Sequence, residues 1–522
     1  MRSHAALFLV FLWISLYLAG CAPVIYEPSL IYPHLPDRPF QECSINLDFY
    51  KPVQQRPDQY SNVALAVAAS GGGYRAANFA AGAMLGLEEI KDSCTPPRNV
   101  LSEVDYFSSV SGGGFAVGAY VSTLHDYICF NGSTAGYSFA DALALADPNV
   151  KCPCPCKPPD CKHKLPDKQK IDPCARRHLR GLYPDFIEDF LRTLLPWNQL
   201  GLDNRNLRFE QAIDDDVLGY CWRKAKLGPN DANATLTLAD VFVPATDTNR
   251  QVVLPYWFAN AAVYKNAVIF PFSPDHLVFY DVDGYYHRTK EHKFISSRQS
   301  YEQFIWNVPL SAAVASSANF PLALPPNRLA SKMDPNNPYF YLLDGGVADN
   351  LGAITALRLL SDKTNENAPR KVLIVIDSYQ GGLVPFTIAE KPPNEIAAIA
   401  RLMEIGLDSW RARYREAIDR LCDSNNIKPV YISFDDLVDA NFNDLGLCEK
   451  DIKDLCDNMP RGCPKATPFY IARSISMTSP LSWDKQGLEY AMRKSQQNLL
   501  IAAGQYVVNK QRSEILNALG WK

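Results

Sequence analysis

Ser109-Val110-Ser111-Gly112-Gly113 is a variant of the G-x-S-x-G elbow that presents a nucleophilic serine. A strand must turn sharply into a helix with Ser111 at the tip. That bend tolerates only small neighbours, and a strained backbone favours glycine. The following helix directs its first N–H groups, Gly112 among them, at a developing oxyanion. Ser109 stands where the motif has its first glycine. The pattern alone is also compatible with an ordinary glycine-rich turn.

A second group is Ser70-Gly71-Gly72-Gly73-Tyr74-Arg75. Three glycines after an apolar run leave backbone N–H groups uncovered, and such a nest binds anions. Gly71, Gly72 and Gly73 are therefore candidates for an oxyanion hole. Arg75 is a candidate for holding a substrate phosphate or keeping that hole positive; the other reading is a surface arginine at a helix start. Gly71-x-Gly73-x-x-Ala76 also satisfies a dinucleotide fingerprint. That fingerprint wants an acidic residue at the end of the next strand, whereas Glu88 and Glu89 fall in the helix. No Gly-Lys-Ser/Thr follows, which excludes a P-loop. A third group, Asp344-Gly345-Gly346, reads either as a helix cap or as a base at the carboxyl end of a strand.

These groups need a scaffold. Residues 63–69 read as a strand, the glycine turn follows, and 74–90 read as a helix. Residues 104–110 and the helix after Ser111 repeat the scheme, and 339–343 with 350–360 give a third unit. Residues 371–376 are a fourth buried strand and 429–434 another. Alternation of this kind predicts an α/β fold: a mostly parallel sheet with helices on both faces. An insertion of about 129–250 interrupts it. Residues 394–423 read as one long helix, and 482–519 as largely helical. The expected organisation is a leader (1–20), a tether leading into the fold (21–60), a catalytic domain (61–390) and a mostly helical C-terminal extension (391–522).

In order along the chain, the serine–glycine–arginine block, Ser-x-Ser111-x-Gly113, Ala315-Ser316-Ser317-Ala318-Asn319-Phe320-Pro321 and Asp344-Gly345-Gly346 resemble the motif blocks of the patatin-like phospholipases. The resemblance covers roughly residues 63–378. It implies a three-layer α/β/α fold and a Ser–Asp dyad, without histidine, that cleaves acyl esters of lipids. Carried over, Ser111 is the nucleophile and Asp344 its base. Gly71, Gly72 and Gly73 form the oxyanion hole with the N–H of Gly112. No cofactor and no metal is implied. Ser109 and Ala76 depart from the family's glycines, and both are small. The histidines agree with a dyad: all eight precede Asp344, so the Ser…Asp…His order of α/β-hydrolases is impossible with this aspartate. The competing expectations are an esterase or thioesterase on small acyl substrates, and a non-catalytic lipid-anchored binding protein.

The 522 residues are 47% hydrophobic and 21% charged, which excludes a disordered or fibrous chain. Lys+Arg total 52 and Asp+Glu 56, a net charge of −4, so no basic excess points to nucleic acid. After Arg2, residues 5–19 carry no charge and end at Leu18-Ala19-Gly20-Cys21. That run is short for a membrane span and fits a signal peptide. Its end resembles the bacterial lipobox, with Cys21 as the lipidated mature N-terminus. Ala22, rather than aspartate, favours an outer-membrane anchor in the cell envelope. The expected partners are thus an acyl-lipid substrate and a membrane held through Cys21; nothing specifies an oligomeric state. Export permits disulfides. Cys152, Cys154, Cys156, Cys161 and Cys174 lack the paired spacing of structural zinc sites and are expected to staple the insertion by disulfides. Cys448, Cys456 and Cys463, with Cys422 as a possible fourth member, are expected to staple a later loop.

Overall fold

A computed structural model describes residues 63–145, 205–285, 305–378, 414–475 and 482–521, apart from short breaks within those spans. Cys21 and the leader, the Cys152–Cys174 cluster and Cys463 lie outside the described residues.

The strands are β1 (Val63–Ala69), β2 (Tyr106–Val110), β3 (Tyr256–Val263), β4 (Ile269–Phe272), β5 (Val282–Tyr285), β6 (Asn327–Ser331), β7 (Tyr339–Asp344), β8 (Arg370–Asp377) and β9 (Ile427–Ser433). Their hydrogen-bonded order is β5-β6-β7-β3-β2-β1-β8-β9, with β4 also on β3. From β3 through β2, β1 and β8 to β9 every pairing is parallel. From β3 through β7 and β6 to β5, and from β3 to β4, every pairing is antiparallel. The sheet is mixed, which corrects the expectation of a mostly parallel one. A short connection after β3 causes part of the difference. Val263 N–H donates to Val268 O and Ala267 takes a left-handed φ of 53°, so β4 folds straight back. A parallel partner would need a crossover of a dozen residues or more.

The helices that position the site are α1 (Gly73–Glu89), α2 (Gly112–Asn131), α3 (Leu310–Ser317), α4 (Ala353–Ser361), α5 (Pro468–Ser474) and α6 (Lys494–Lys510). Ser108 Oγ donates to Gly352 O, at the start of α4, while the next residue's hydroxyl lies against Gly114 of α2. Successive strand residues point to opposite faces. Helices α4 and α2 therefore cover opposite faces of β2, giving an α/β/α arrangement. Strands β1 and β8 have uncharged interiors because both of their faces are covered.

Residues 427–433, expected in a C-terminal extension, form β9 of the same sheet. Helix α6 lies on α1 at backbone distance: a Cβ at Gly82 would overlap Ile501 O, and one at Gly504 would overlap Phe79 O. The helical reading of 482–519 fails at its start. Ser482–Asp484 and Gly487–Glu489 pair antiparallel, with Trp483 opposite Leu488. Serine, aspartate and glycine favour a helix too weakly to resist that pairing. Among the described residues no helix is long and apolar enough to cross a membrane, and no group of three His, Cys, Asp or Glu could hold a metal.

Candidate active site

Strand β2 ends at Val110 and α2 begins at Gly112, so Ser111 alone makes the turn. It does so at φ 48°, in the left-handed region, which costs a non-glycine residue about 1–2 kcal/mol. A Cβ at Gly112 would overlap Gly73 O, and one at Gly113 would lie 2.5 Å from Ala69 O. The elbow and the glycine loop thus touch backbone to backbone, which explains why both are glycine-rich. Ser109 has its own reason to be serine: its Oγ accepts the buried indole N–H of Trp257 at 2.8 Å.

The aspartate arrives by a different route. Strand β4 occupies one edge of β3 along Ala259–Ala262. Strand β2 pairs with Tyr256–Asn260 and β7 with Ala261–Val263, so both share the other edge, end to end and in opposite directions. Val110 stands opposite Asn260, and Asp344 opposite Ala261. Two carboxyl ends therefore face each other, which puts the Ser111 side chain close enough to the Asp344 carboxyl to lower its pKa. Gly346 N–H donates to Asp344 Oδ1 at 2.7 Å and fixes the carboxylate. Burial pushes the Asp344 carboxyl up to about 6, against the smaller lowering by the Gly346 and Ser111 hydrogen bonds.

The end of α3 joins the two halves. Ser317 Oγ donates to Asn260 O and accepts Ser111 N–H, and Ser317 O accepts Gly345 N–H. Asn319 O accepts Asp344 N–H. The block at 315–321 is visible in the sequence, but its contacts are not legible there.

The glycine nest differs from expectation at one member. Gly71 N–H donates to Asn350 O at 2.8 Å, so it is spent and Gly71 is removed from the set of oxyanion donors. Gly72 and Gly73 take φ values of 135° and 58°. The N–H groups of Gly72, Gly73 and Gly112 meet no acceptor among the described residues. Ser70 and Ser378 clamp the loop: Ser378 N–H donates to Ser70 Oγ, and Ser378 Oγ donates to Gly71 O. Asn350 and Ser378 carried no sequence signal beyond their nearness to a motif.

Arg75 also differs. It is fully buried, with Nε donating to Ser378 O at 3.0 Å and Nη1 to Ile475 O at 2.9 Å. Both the substrate-phosphate reading and the surface reading are corrected: a guanidinium without exposure meets neither substrate nor water. Its Nη2 lies 3.4 Å from where a Gly72 Cβ would be, so a fixed positive charge backs the nest.

Two other groups resemble catalytic ones. Burial raises Asp349 to about 6 as well, but its oxygens accept the N–H groups of Leu351, Gly352 and Ile354, which ties it to the turn leading into α4. Ser273, Asp275 and His276 form a buried network at the start of the helix Pro274–Phe279. Among the described residues no histidine bonds to Ser111 or Asp344. Cys448 and Cys456 are disulfide-bonded, whereas Cys422 is a buried free thiol whose pKa burial pushes up to about 12.

No curated protein matches this chain in sequence. Among solved structures it is similar to human GIVD cytosolic phospholipase A2, at 13% identity and a TM-score of 0.36, with 88% of this chain covered and 62% of that one. It is also similar to VipD from Legionella pneumophila, at 15% identity and a TM-score of 0.25, with 72% and 61% covered. The chain thus spans under two thirds of the length of either, and these loose likenesses decide nothing by themselves. Residues 67–357, more than half of the 522, match the family model described as patatin-like phospholipase. On that match the chain belongs to the patatin-like phospholipase family.

Proposed function

We propose that this protein is a lipid acyl hydrolase of the phospholipase or lysophospholipase type, with Ser111 as nucleophile and Asp344 as general base. The observation that carries the reading is the meeting of β2 and β7 on one edge of β3, which brings the Ser111 side chain to the Asp344 carboxyl. A serine hydroxyl is a poor nucleophile until a base takes its proton. A carboxyl near 6 is ionised at neutral pH, yet basic enough to serve.

Asp344 accepts the Ser111 proton as Oγ bonds to the ester carbonyl carbon. The carbonyl electron pair moves onto oxygen, where the N–H groups of Gly72, Gly73 and Gly112 receive it. The ester C–O bond then breaks, and the departing alcohol or lysolipid takes the proton from Asp344. Water attacks the acyl-serine, Asp344 takes its proton, and the free acid leaves as Ser111 is reprotonated. The sum is ester plus water to acid plus alcohol, with nothing else consumed. Arg75 supports the oxyanion electrostatically from beneath Gly72.

Residues 1–21 support export and lipid anchoring at Cys21, on the outer-membrane side of the envelope. The disulfide-bonded Cys448 and Cys456 suit an oxidising compartment. Metabolic labelling with palmitate tests the anchor: label retained after Cys21→Ala excludes it.

A fluorophosphonate probe and a short-chain ester test the chemistry on purified protein. Ser111 should be labelled and the ester turned over, and Ser111→Ala should lose both. Labelling that persists in Ser111→Ala, or is absent from the wild type, rejects the serine hydrolase reading.

A further inference from the structure

Ser317 is the last residue of α3 and is fully buried. Its hydroxyl donates to Asn260 O at 2.6 Å and accepts Ser111 N–H at 3.0 Å, and its carbonyl accepts Gly345 N–H at 3.0 Å. One residue therefore touches the backbone of the nucleophile, the residue after the base, and the β3 position opposite which β2 ends. We propose that Ser317 is a positioning residue for ester hydrolysis, its hydroxyl holding Ser111 in the conformation that aims Oγ at Asp344. The inference rests on the reading of Ser111 and Asp344 as nucleophile and base.

The chemistry of its two bonds leaves the hydroxyl no choice. A carbonyl only accepts and an N–H only donates. The Ser317 proton must therefore point at Asn260 O, and a lone pair must face Ser111 N–H. Ser111 sits between a strand end and a helix start, so neither the ladder nor the helix accepts its N–H. Its left-handed φ of 48° is a strained state, and such states persist only where the surroundings over-determine them. Alanine at 317 removes the acceptor, orphans the Ser111 N–H and frees the elbow to relax. A displacement of about 1 Å between reacting groups lowers the rate on the order of 100-fold.

Ser316 supplies the control. It is equally buried on the same helix, donates from Oγ to Ala312 O and accepts from Asn327 Nδ2, both at 2.8 Å. Neither bond reaches the elbow. A purely structural role for buried hydroxyls in α3 would make the two serines alike.

The test compares the full chain with Ser317→Ala and Ser316→Ala for Tm, kcat and KM on a short-chain ester, and the rate of fluorophosphonate labelling. Ser317→Ala should lower kcat and the labelling rate together by roughly 10- to 100-fold with KM little changed. Ser316→Ala should lose a similar amount of Tm and keep kcat within about twofold. Wild-type kcat in Ser317→Ala, or an equal loss of kcat in Ser316→Ala, overturns the proposal. Should Ser317→Ala not fold, Ser317→Cys retains a weak acceptor of similar size; an intermediate kcat is expected, and an unchanged one overturns the proposal. A wild type that neither labels nor turns over instead removes the hydrolase reading on which the proposal stands.

Discussion

A carboxylate serves a serine as base only if it is held at the hydroxyl and raised toward the working pH. Asp344 and Asp349 are both raised to about 6 by burial. Geometry separates them: the oxygens of Asp349 accept the backbone N–H groups of Leu351, Gly352 and Ile354, while the Asp344 carboxyl lies close to the Ser111 side chain. With the ionised form of Asp344 as the proposed base, kcat/KM should fall as pH drops below about 6 and level off above it, which a pH–rate profile checks. Stability runs the other way. The folded state holds the Asp344 proton more tightly than the unfolded one, whose value is 3.8. The stabilisation is therefore full below about pH 4 and lost as pH rises through about 6, roughly 3 kcal/mol in all. Asp344→Asn should be inactive, yet more stable than wild type at pH 8, with the advantage gone near pH 4. Urea titrations at both values measure this, and a difference independent of pH would contradict it. Ser109→Gly restores the usual residue of the elbow but leaves the Trp257 indole N–H without its acceptor. It should cost about 1–3 kcal/mol in thermal unfolding and leave the labelling of Ser111 intact.

Elements place these residues by sharing edges and by close approach. The alternating pattern announced β1 and α1, yet nothing local to 339–344 says that β7 runs antiparallel to β3. That direction is what turns Asp344 toward Ser111; a parallel β7 would carry it to the far end of the strand. The contact of α1 with α6 is of the same kind. Both helices are recognisable from their apolar periodicity, but the need for glycine at 82 and 504 appears only once they cross. Gly82→Ala would gain helix propensity and still destabilise, because its Cβ meets Ile501 O, a backbone atom that cannot swing aside. The expected loss is about 1–3 kcal/mol or more, read from the denaturation midpoint. An exposed helical glycine changed the same way would be neutral or stabilising.

At the scale of the whole molecule, residues beyond the family match are structural partners of the site. Strand β9 completes the sheet beside β8, α6 covers α1, and Ile475 O receives the Arg75 guanidinium beneath the glycine nest. A chain ended before Pro468 would strip α6 from the apolar flank of α1 and take one backbone acceptor, Ile475 O, from a buried cation, which is destabilising. It should be insoluble or unlabelled by a fluorophosphonate, as judged by soluble yield and labelling per mole; labelling at the full-length rate would show the segment to be dispensable. The sequence by itself determined the strand–turn–helix units and the glycine-rich bends, because these are written in contiguous residues through periodicity and small side chains; Ser111 and Asp344 stand out in it only through the resemblance of their motif blocks to those of a known family. Only the tertiary structure decided that Gly71 is spent on Asn350, that Arg75 is buried rather than exposed to substrate, and that Ser317 joins the two halves of the site. Those outcomes depend on which sheet edges and backbone groups are brought together from positions up to 400 residues apart, and no local pattern encodes such a pairing.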